Sequence, residues 1–241
     1  MTVDLKGKTA LVTGSGRGIG KSIAIALAEA GAEVAVAART SQEVEKTVSE
    51  IGANGGKASA MTADISSEED VRALFDRIRN ESGKLDILVN NAGIGIYGRV
   101  DQVSAEDIDN VLGVNLKGTF LCCREAMNMM MPCKSGYIIN ISSVVGFRGY
   151  ENQGVYTASK HGVMGLTKTL AVEAQEHGVR VSAILPGGVD TEMVRRARPD
   201  LDTSVLLYPE DIAGTVLYLL SLSDRAAVDQ IYIRRWASKP F

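Results

Sequence analysis

One alternation recurs six times along the chain: a short apolar, β-branched run gives way, through a glycine or a few polar residues, to a stretch with helical spacing. Runs at 8–13, 33–38, 57–62, 85–89, 137–141 and 179–185 have strand character, and 230–234 adds a seventh. The intervening stretches carry apolar residues three and four apart, as at Ile23 and Leu27 or at Val71, Leu74, Phe75 and Ile78. Strands joined through helices run parallel, and the helices then cover the sheet on both sides. The chain is therefore predicted to be α/β, with a doubly wound parallel sheet of about seven strands. At 241 residues and 45% apolar content, one well-buried core accounts for all these elements, so 1–241 reads as a single domain.

Composition removes several function classes. A net charge of −3 gives no electrostatic footprint for nucleic acid or an anionic membrane. No apolar stretch approaches the ~20 residues of a spanning helix, and residues 1–12 hold no signal-like core, so a soluble cytoplasmic protein is expected. Cys122, Cys123 and Cys133 lack metal-site spacing and read as reduced packing residues, and Met127 to Met131 as packing or an oligomer face. No metal is expected.

Two stretches point to chemistry. The first run ends in Gly14-Ser15-Gly16-Arg17-Gly18-Ile19-Gly20, directly before helical spacing. Glycines admit a phosphate to the backbone, and a helix N-terminus offers unpaired N–H groups; a tight turn alone would look the same. After the second run come Ala38, Arg39 and Thr40, where an acidic residue would suit a ribose hydroxyl. A cation there suits a 2′-phosphate, although Thr40 or Ser41 also serves as a helix cap. In the second stretch, Tyr156 and Lys160 lie four apart on a predicted helix over 154–176, so they share a face. An ammonium beside a phenol lowers its usual pKa of ~10, making Tyr156 a candidate acid with Ser143 as a second donor. Isolated pairs of this kind are commonly surface contacts, so the context decides.

That context is a run of motifs: TGSGRGIG, Asp64, NNAG at 90–93, Asn115 inside a predicted helix from 105 to about 131, Ser143, YTASK at 156–160 and PGGVDT at 186–191. Together they resemble the short-chain dehydrogenase/reductase family over almost the whole chain, and most nearly the 3-oxoacyl-[acyl-carrier-protein] reductases, to which Gln153 is also similar. The resemblance implies a Rossmann fold and NADPH-dependent carbonyl reduction. By position it implies that Asn115, Ser143, Tyr156 and Lys160 are catalytic, with Asn115 placing a water for proton return. It assigns Gly14, Ser15, Arg17, Gly18, Ile19 and Gly20 to the pyrophosphate and Arg39 and Thr40 to the 2′-phosphate. Asp64 and Ile65 would flank the adenine, and Asn91, Ala92 and Gly93 the ribose. Pro186, Gly187, Val189 and Thr191 would border the nicotinamide, and Tyr156 and Lys160 the cofactor's ribose. A small carbonyl or alcohol substrate, a dimer or tetramer, and an acyl carrier protein are the partners implied.

The chain also departs from that family. Residues 228–241 replace the usual Val-Asp-Gly-Gly ending, and Lys134 and His177 stand where two basic residues dock the carrier, which counts against a carrier-bound substrate. The segment 191–208 is expected to be an irregular lid. Its Arg195, Arg196 and Arg198 are either a solvated face or an anion site, with Tyr97, Phe147, Tyr150 and Met193 around the acyl part. A 3-oxoacyl thioester is the expected substrate, with a ketone, sugar or polyol as the alternative. A non-catalytic nucleotide sensor would not need Ser143, Tyr156 and Lys160, and a methyltransferase would want an acid where Arg39 stands.

Overall fold

Seven strands form the sheet: β1 (Thr9–Thr13), β2 (Glu33–Ala38), β3 (Lys57–Thr62), β4 (Ile87–Asn90), β5 (Gly136–Ile141), β6 (Val179–Pro186) and β7 (Gln230–Ile233). The structure is a computed structural model that describes residues 3–197 and 202–239. Every strand pair is parallel, in the order β3-β2-β1-β4-β5-β6-β7. This is the Rossmann arrangement, with the order reversing direction between β1 and β4.

Alternation along the strands divides the core. Leu11, Leu88 and Ile138 face one side, with Val71, Leu74, Phe75 and Ile78 of α3 (Glu68–Ser82) packed over them. Ala10, Val12, Val89 and Ile139 face the other, under Ile23 and Leu27 of α1 (Gly18–Glu29). The period-2 strand pattern and the helical stripes are thus two halves of the same burial. Helix α2 (Ser41–Ala53) follows β2, with Thr40 at its N-cap but making no side-chain bond there. Ser67 does cap α3, its hydroxyl accepting from the Asp70 N–H.

The long helix expected from 105 to 131 departs from a single α-helix. It runs as α4 (Ala105–Leu112), a π-helical turn at Gly113–Gly118 and α5 (Thr119–Met130). The reason is local packing: the chain passes so close to Ile65 that a Cβ on residue 118 would lie 2.8 Å from the Ile65 carbonyl oxygen. The wider turn also points Asn115 inward, where it is fully buried.

The lid region differs as well. Residues 192–197 form a short helix, α7 (Glu192–Ala197), and Thr203–Val205 a single 3-10 turn; Arg198 and Pro199 lie outside the described residues. Helices α6 (Gly154–Gln175) and α8 (Pro209–Ser221) complete the layers. Met127, Met129 and Met130 are core residues, as are Cys122 and Cys123, whereas Cys133 is exposed. Among the described residues no helix is long and apolar enough to cross a membrane.

Phe75 is among the largest fully buried side chains, at the centre of the α3 interface. Phe75→Ala is expected to cost about 3–5 kcal/mol in urea unfolding. A loss under about 1 kcal/mol would show that α3 does not dock on the sheet as described.

Candidate active site

Where the strand order reverses, the ends of β1 and β4 open a crevice, and the chain is drawn tight around it. Gly14 has φ 64°, and a Cβ there would lie 2.7 Å from the Ala92 Cα. Only glycine allows that approach. Thr13 Oγ1 accepts from the N–H groups of Asn91 and Ala92, both at 3.1 Å, and the Asn91 amide donates back to the carbonyls of Thr13 and Gly14 at 3.0 and 3.1 Å. The Asn91 side chain therefore ties β4 to the glycine loop. Ser15 departs from expectation. It is fully buried, its hydroxyl donating to Val12 at 2.7 Å and accepting from the Ala37 N–H at 3.0 Å, so it shapes the loop from within.

The first turn of α1 has no side-chain cap and no acidic residue. Its leading N–H groups, at Gly18, Ile19 and Gly20, have no partner within the helix, a setting that fits a pyrophosphate. Thr191 lies opposite, its methyl 3.4 Å from where a Cβ on Gly18 would stand. Arg17 is engaged elsewhere. It pairs with Glu192 of α7 at 2.5 Å and with Glu43 at 3.4 Å, so a phosphate would have to displace a carboxylate to reach it.

Beside β2 lies a cavity of about 280 Å³ lined by Arg39, Asp64, Ser66, Ile94 and Val114, among others. Asp64 is fixed by the backbone N–H and hydroxyl of Ser66 at 2.9 and 2.7 Å, and Arg39 approaches it at 3.8 Å. Ile94, Ile96 and Val114 give this cavity apolar surface for a base, Asp64, Asp109 and Asn110 give it polar surface, and Arg39 is a cation suited to a 2′-phosphate. Thr40 is exposed nearby. Ile65 does not join the lining: it is a core residue packed at Gly118.

At the end of β5, Ser143 caps the 3-10 turn Val144–Gly146, accepting from the Val145 N–H at 3.3 Å. Tyr156 and Lys160 project from α6 towards it. Lys160 is only 5% exposed; its ammonium donates to the Ile141 carbonyl at 2.9 Å and lies 5.9 Å from the centre of the Tyr156 ring. Asn115 completes the corner. Its amide accepts from the Ile94 N–H at 2.8 Å and donates to the Ile94 carbonyl at 2.9 Å and to Ser159 Oγ at 3.0 Å. That engagement clamps the segment after Gly93 onto α6, so the Asn115 side chain acts on the backbone and on Ser159. A Cβ on Gly93 would lie 3.3 Å from Asn115 Oδ1 and 3.6 Å from Lys160 Nζ.

The expectation of a phenol made more acidic by Lys160 is not met. Burial pushes the Tyr156 phenol up, the neighbouring Tyr97 adds to the rise, and a hydrogen bond with Ser143 opposes it. Burial also brings Lys160 down to about 8. Desolvation disfavours both charged forms, and the ammonium is directed to Ile141. Tyr156 thus stays protonated across neutral pH, the form a proton donor needs.

Comparison with known proteins shows the family. The short chain dehydrogenase family model matches residues 8–202. The chain belongs to the short-chain dehydrogenase family. Among its relatives, a 3β-hydroxysteroid dehydrogenase of Mediterraneibacter gnavus is 41% identical over 81% of this chain and 71% of its own. A 3-oxoacyl-[acyl-carrier-protein] reductase of Synechocystis sp. is also 41% identical, over 89% and 90%. A metagenomic short-chain oxidoreductase solved with NADP superposes with a TM-score of 0.86 at 34% identity, covering 97% of this chain and 99% of that one.

As a short-chain dehydrogenase the chain has site residues that sequence reasoning passed over. Ser159 lies inside YTASK and is the partner of Asn115; its place three residues after Tyr156, turned inward on the same helix, was a usable signal. Glu43 and Glu192 are joined to Arg17 only by the fold and left none.

Lys160 gives a pH-dependent test. Its pKa falls from 10.5 to about 8 on folding, so between those values the unfolded chain binds more protons and stability rises with pH. Below pH 8 both states are charged and the full penalty applies. Relative to Lys160→Met, the cofactor-free wild type should gain up to about 3 kcal/mol from pH 8 to 10.5 in denaturant unfolding. A difference between the two proteins that stays flat over this range would show that the ammonium is solvated.

Proposed function

We propose that this short-chain dehydrogenase reduces the keto group of a 3-oxoacyl thioester or related β-keto compound to a secondary alcohol, with Tyr156 as the proton donor. The observation that carries the reading is the convergence of Ser143, protonated Tyr156 and buried Lys160 at the ends of β5 and α6, next to the glycine-loop crevice. NADP(H) is the cofactor, as in the metagenomic oxidoreductase solved with it, and when bound it supplies the hydride. Gly18, Ile19 and Gly20 would hold its pyrophosphate, and Arg39 and Thr40 its 2′-phosphate.

The residues of the chain do the rest. Ser143 orients the carbonyl oxygen and stabilises negative charge developing on it, and Tyr156 gives that oxygen its proton. Lys160 holds the end of β5 through Ile141 and places a positive charge beneath the Tyr156 ring at neutral pH. Asn115 is a positioning residue that fixes Ile94 and Ser159. Pro186, Gly187, Val189 and Thr191 would border the nicotinamide. Tyr97, whose ring centre is 5.9 Å from that of Tyr156, would close the acyl side.

The relative named as a 3-oxoacyl-[acyl-carrier-protein] reductase supports the thioester reading. A bulky neutral ketone is the second reading, favoured by the hydroxysteroid relative and by the aromatic surface of Tyr97, Phe147 and Tyr150. Exposed Phe120, Val172 and Tyr218 fit burial in a dimer or tetramer.

Tyr156→Phe is expected to keep cofactor binding and lose turnover by several orders of magnitude, measured as NADPH oxidation with acetoacetyl thioesters. Near wild-type kcat would remove Tyr156 from the chemistry. Arg39→Ala should lower kcat/KM with NADPH by about ten- to a hundredfold and leave that with NADH within a few fold. Equal losses with both cofactors would mean that Arg39 does not read the 2′-phosphate.

A further inference from the structure

Positive charge near the crevice is neutralised unevenly. On α7, Arg195 forms a two-point bond with Asp190 at 2.7 and 2.8 Å, and Arg196 pairs with Glu192. Arg195 and Arg196 of the lid are therefore taken up by their neighbours. The segment after β7 differs. Pro186 pairs with Ile233, and the Gly187 N–H donates to the Ile233 carbonyl at 2.7 Å, so Arg234 and Arg235 emerge alongside the Pro186–Gly188 turn, at the C-terminal ends of β6 and β7. A Cβ on Gly188 would lie 3.3 Å from Arg235 Cδ and 3.1 Å from Leu206 Cδ2. The absence of a side chain at Gly188 lets the Arg235 stem lie against the turn, between it and the end of the lid.

Both guanidinium groups are held, yet neither has an ion-pair partner among the described residues. Arg234 Nη1 donates to the carbonyls of Arg235, Trp236 and Ser238 at 3.1, 3.1 and 2.6 Å, folding the tail into a turn. Arg235 Nε donates to Ser238 Oγ at 3.2 Å, and its two terminal nitrogens have no acceptor among the described residues. Tyr232 meets Phe147 edge-on at 5.5 Å, which joins this tail to the segment following Ser143. There Arg148 lies over the Tyr150 ring and donates to its hydroxyl at 2.8 Å. A fixed cation with a free fork, next to the turn that borders the reaction centre, is suited to an anion.

We propose that Arg235, oriented by Ser238 and by the turn that Arg234 fixes, is a specificity-determining residue that binds an anionic group of the substrate, a carboxylate or phosphate, while the keto group faces Tyr156. This rests on the β-keto reading above and narrows it to charged members of that class. The exposed lid pairs then have a separate role, bracing α7 locally, while Glu192 also ties it to the glycine loop through Arg17.

Two measurements on the holoenzyme test it. Steady-state kinetics would compare acetoacetyl-CoA and acetoacetate with their neutral counterparts, the acetoacetyl thioester of N-acetylcysteamine and methyl acetoacetate. Arg235→Ala should lower the charged-to-neutral ratio of kcat/KM by about ten- to a hundredfold, chiefly through KM, and Arg235→Lys should recover part of it. The coenzyme pair reports a phosphate and the acid–ester pair a carboxylate, so the arm that responds names the source. In the second measurement, Trp236, the only tryptophan of the chain and 94% exposed beside Arg235, reports binding without turnover. With NADP⁺ present, acetoacetate or coenzyme A should change its emission in the wild type and not in Arg235→Ala. An unchanged ratio together with an emission response indifferent to Arg235 would overturn the proposal, even if neutral thioesters are reduced well. If no β-keto compound is turned over but the charge-dependent emission persists, the β-keto reading fails and the anion site at Arg235 stands.

Discussion

The distance between the end of β1 and the end of β4 governs the rest of the crevice. At Gly14 and Ala92 the two backbones are in contact, and four hydrogen bonds cross the gap, two to the hydroxyl of Thr13 at the end of β1 and two from the side-chain amide of Asn91 just after β4. Buried backbone groups at strand ends need partners, and these side chains supply them where the ladder stops. With the floor fixed, the leading N–H groups of α1 face one way and the segment after Gly93 faces the other. The same constraint explains why the Ser15 hydroxyl and the Asn91 amide are turned to the backbone: they set the shape of the loop.

A second set of buried polar groups carries this order across the sheet. Asn90 donates to Asn140 at 2.9 Å on the neighbouring strand, Asn140 to Thr167 at 2.9 Å on α6, and Thr167 to the Val163 carbonyl at 2.7 Å. One helical turn towards the site, Ser142 Oγ donates to the Lys160 carbonyl at 3.2 Å, and Lys160 donates to Ile141. Helix α6 is therefore held in register against β5 by polar contacts as well as by Val163 and Leu170. A register held this way keeps Tyr156 aimed at the end of β5, because a slide of one residue would break several buried bonds together.

Much of this was legible in the chain. Strand positions, layer assignment and the shared face of Tyr156 and Lys160 follow from periodicities of 2 and 3.6, which the core enforces. What escaped depended on contacts between distant segments. Lys160 was expected at the phenol because spacing on one helix is visible, whereas the Ile141 carbonyl that binds it is nineteen residues away on another element. The direction of the Tyr156 shift failed likewise, since burial is a property of the assembled corner. Arg17, Glu43 and Glu192 come from three separate segments, and Arg195 finds its acid only once α7 has formed.

The π-helical turn at Gly113–Gly118 has a bearing on the chain's tolerance of insertion and deletion. Each residue of a helix advances its faces by about 100°, and a π turn holds one residue more than the α-helical path around the same bend. Removing a residue there to regularise the helix would rotate α5 relative to α4. Either Asn115 would swing off Ile94 and Ser159, or Cys122, Ala126 and Met130 would leave the core. The length of this segment is therefore fixed as firmly as its composition, and a homologue with one residue fewer between Leu112 and Thr119 would need a different fastening for the strand-end loop.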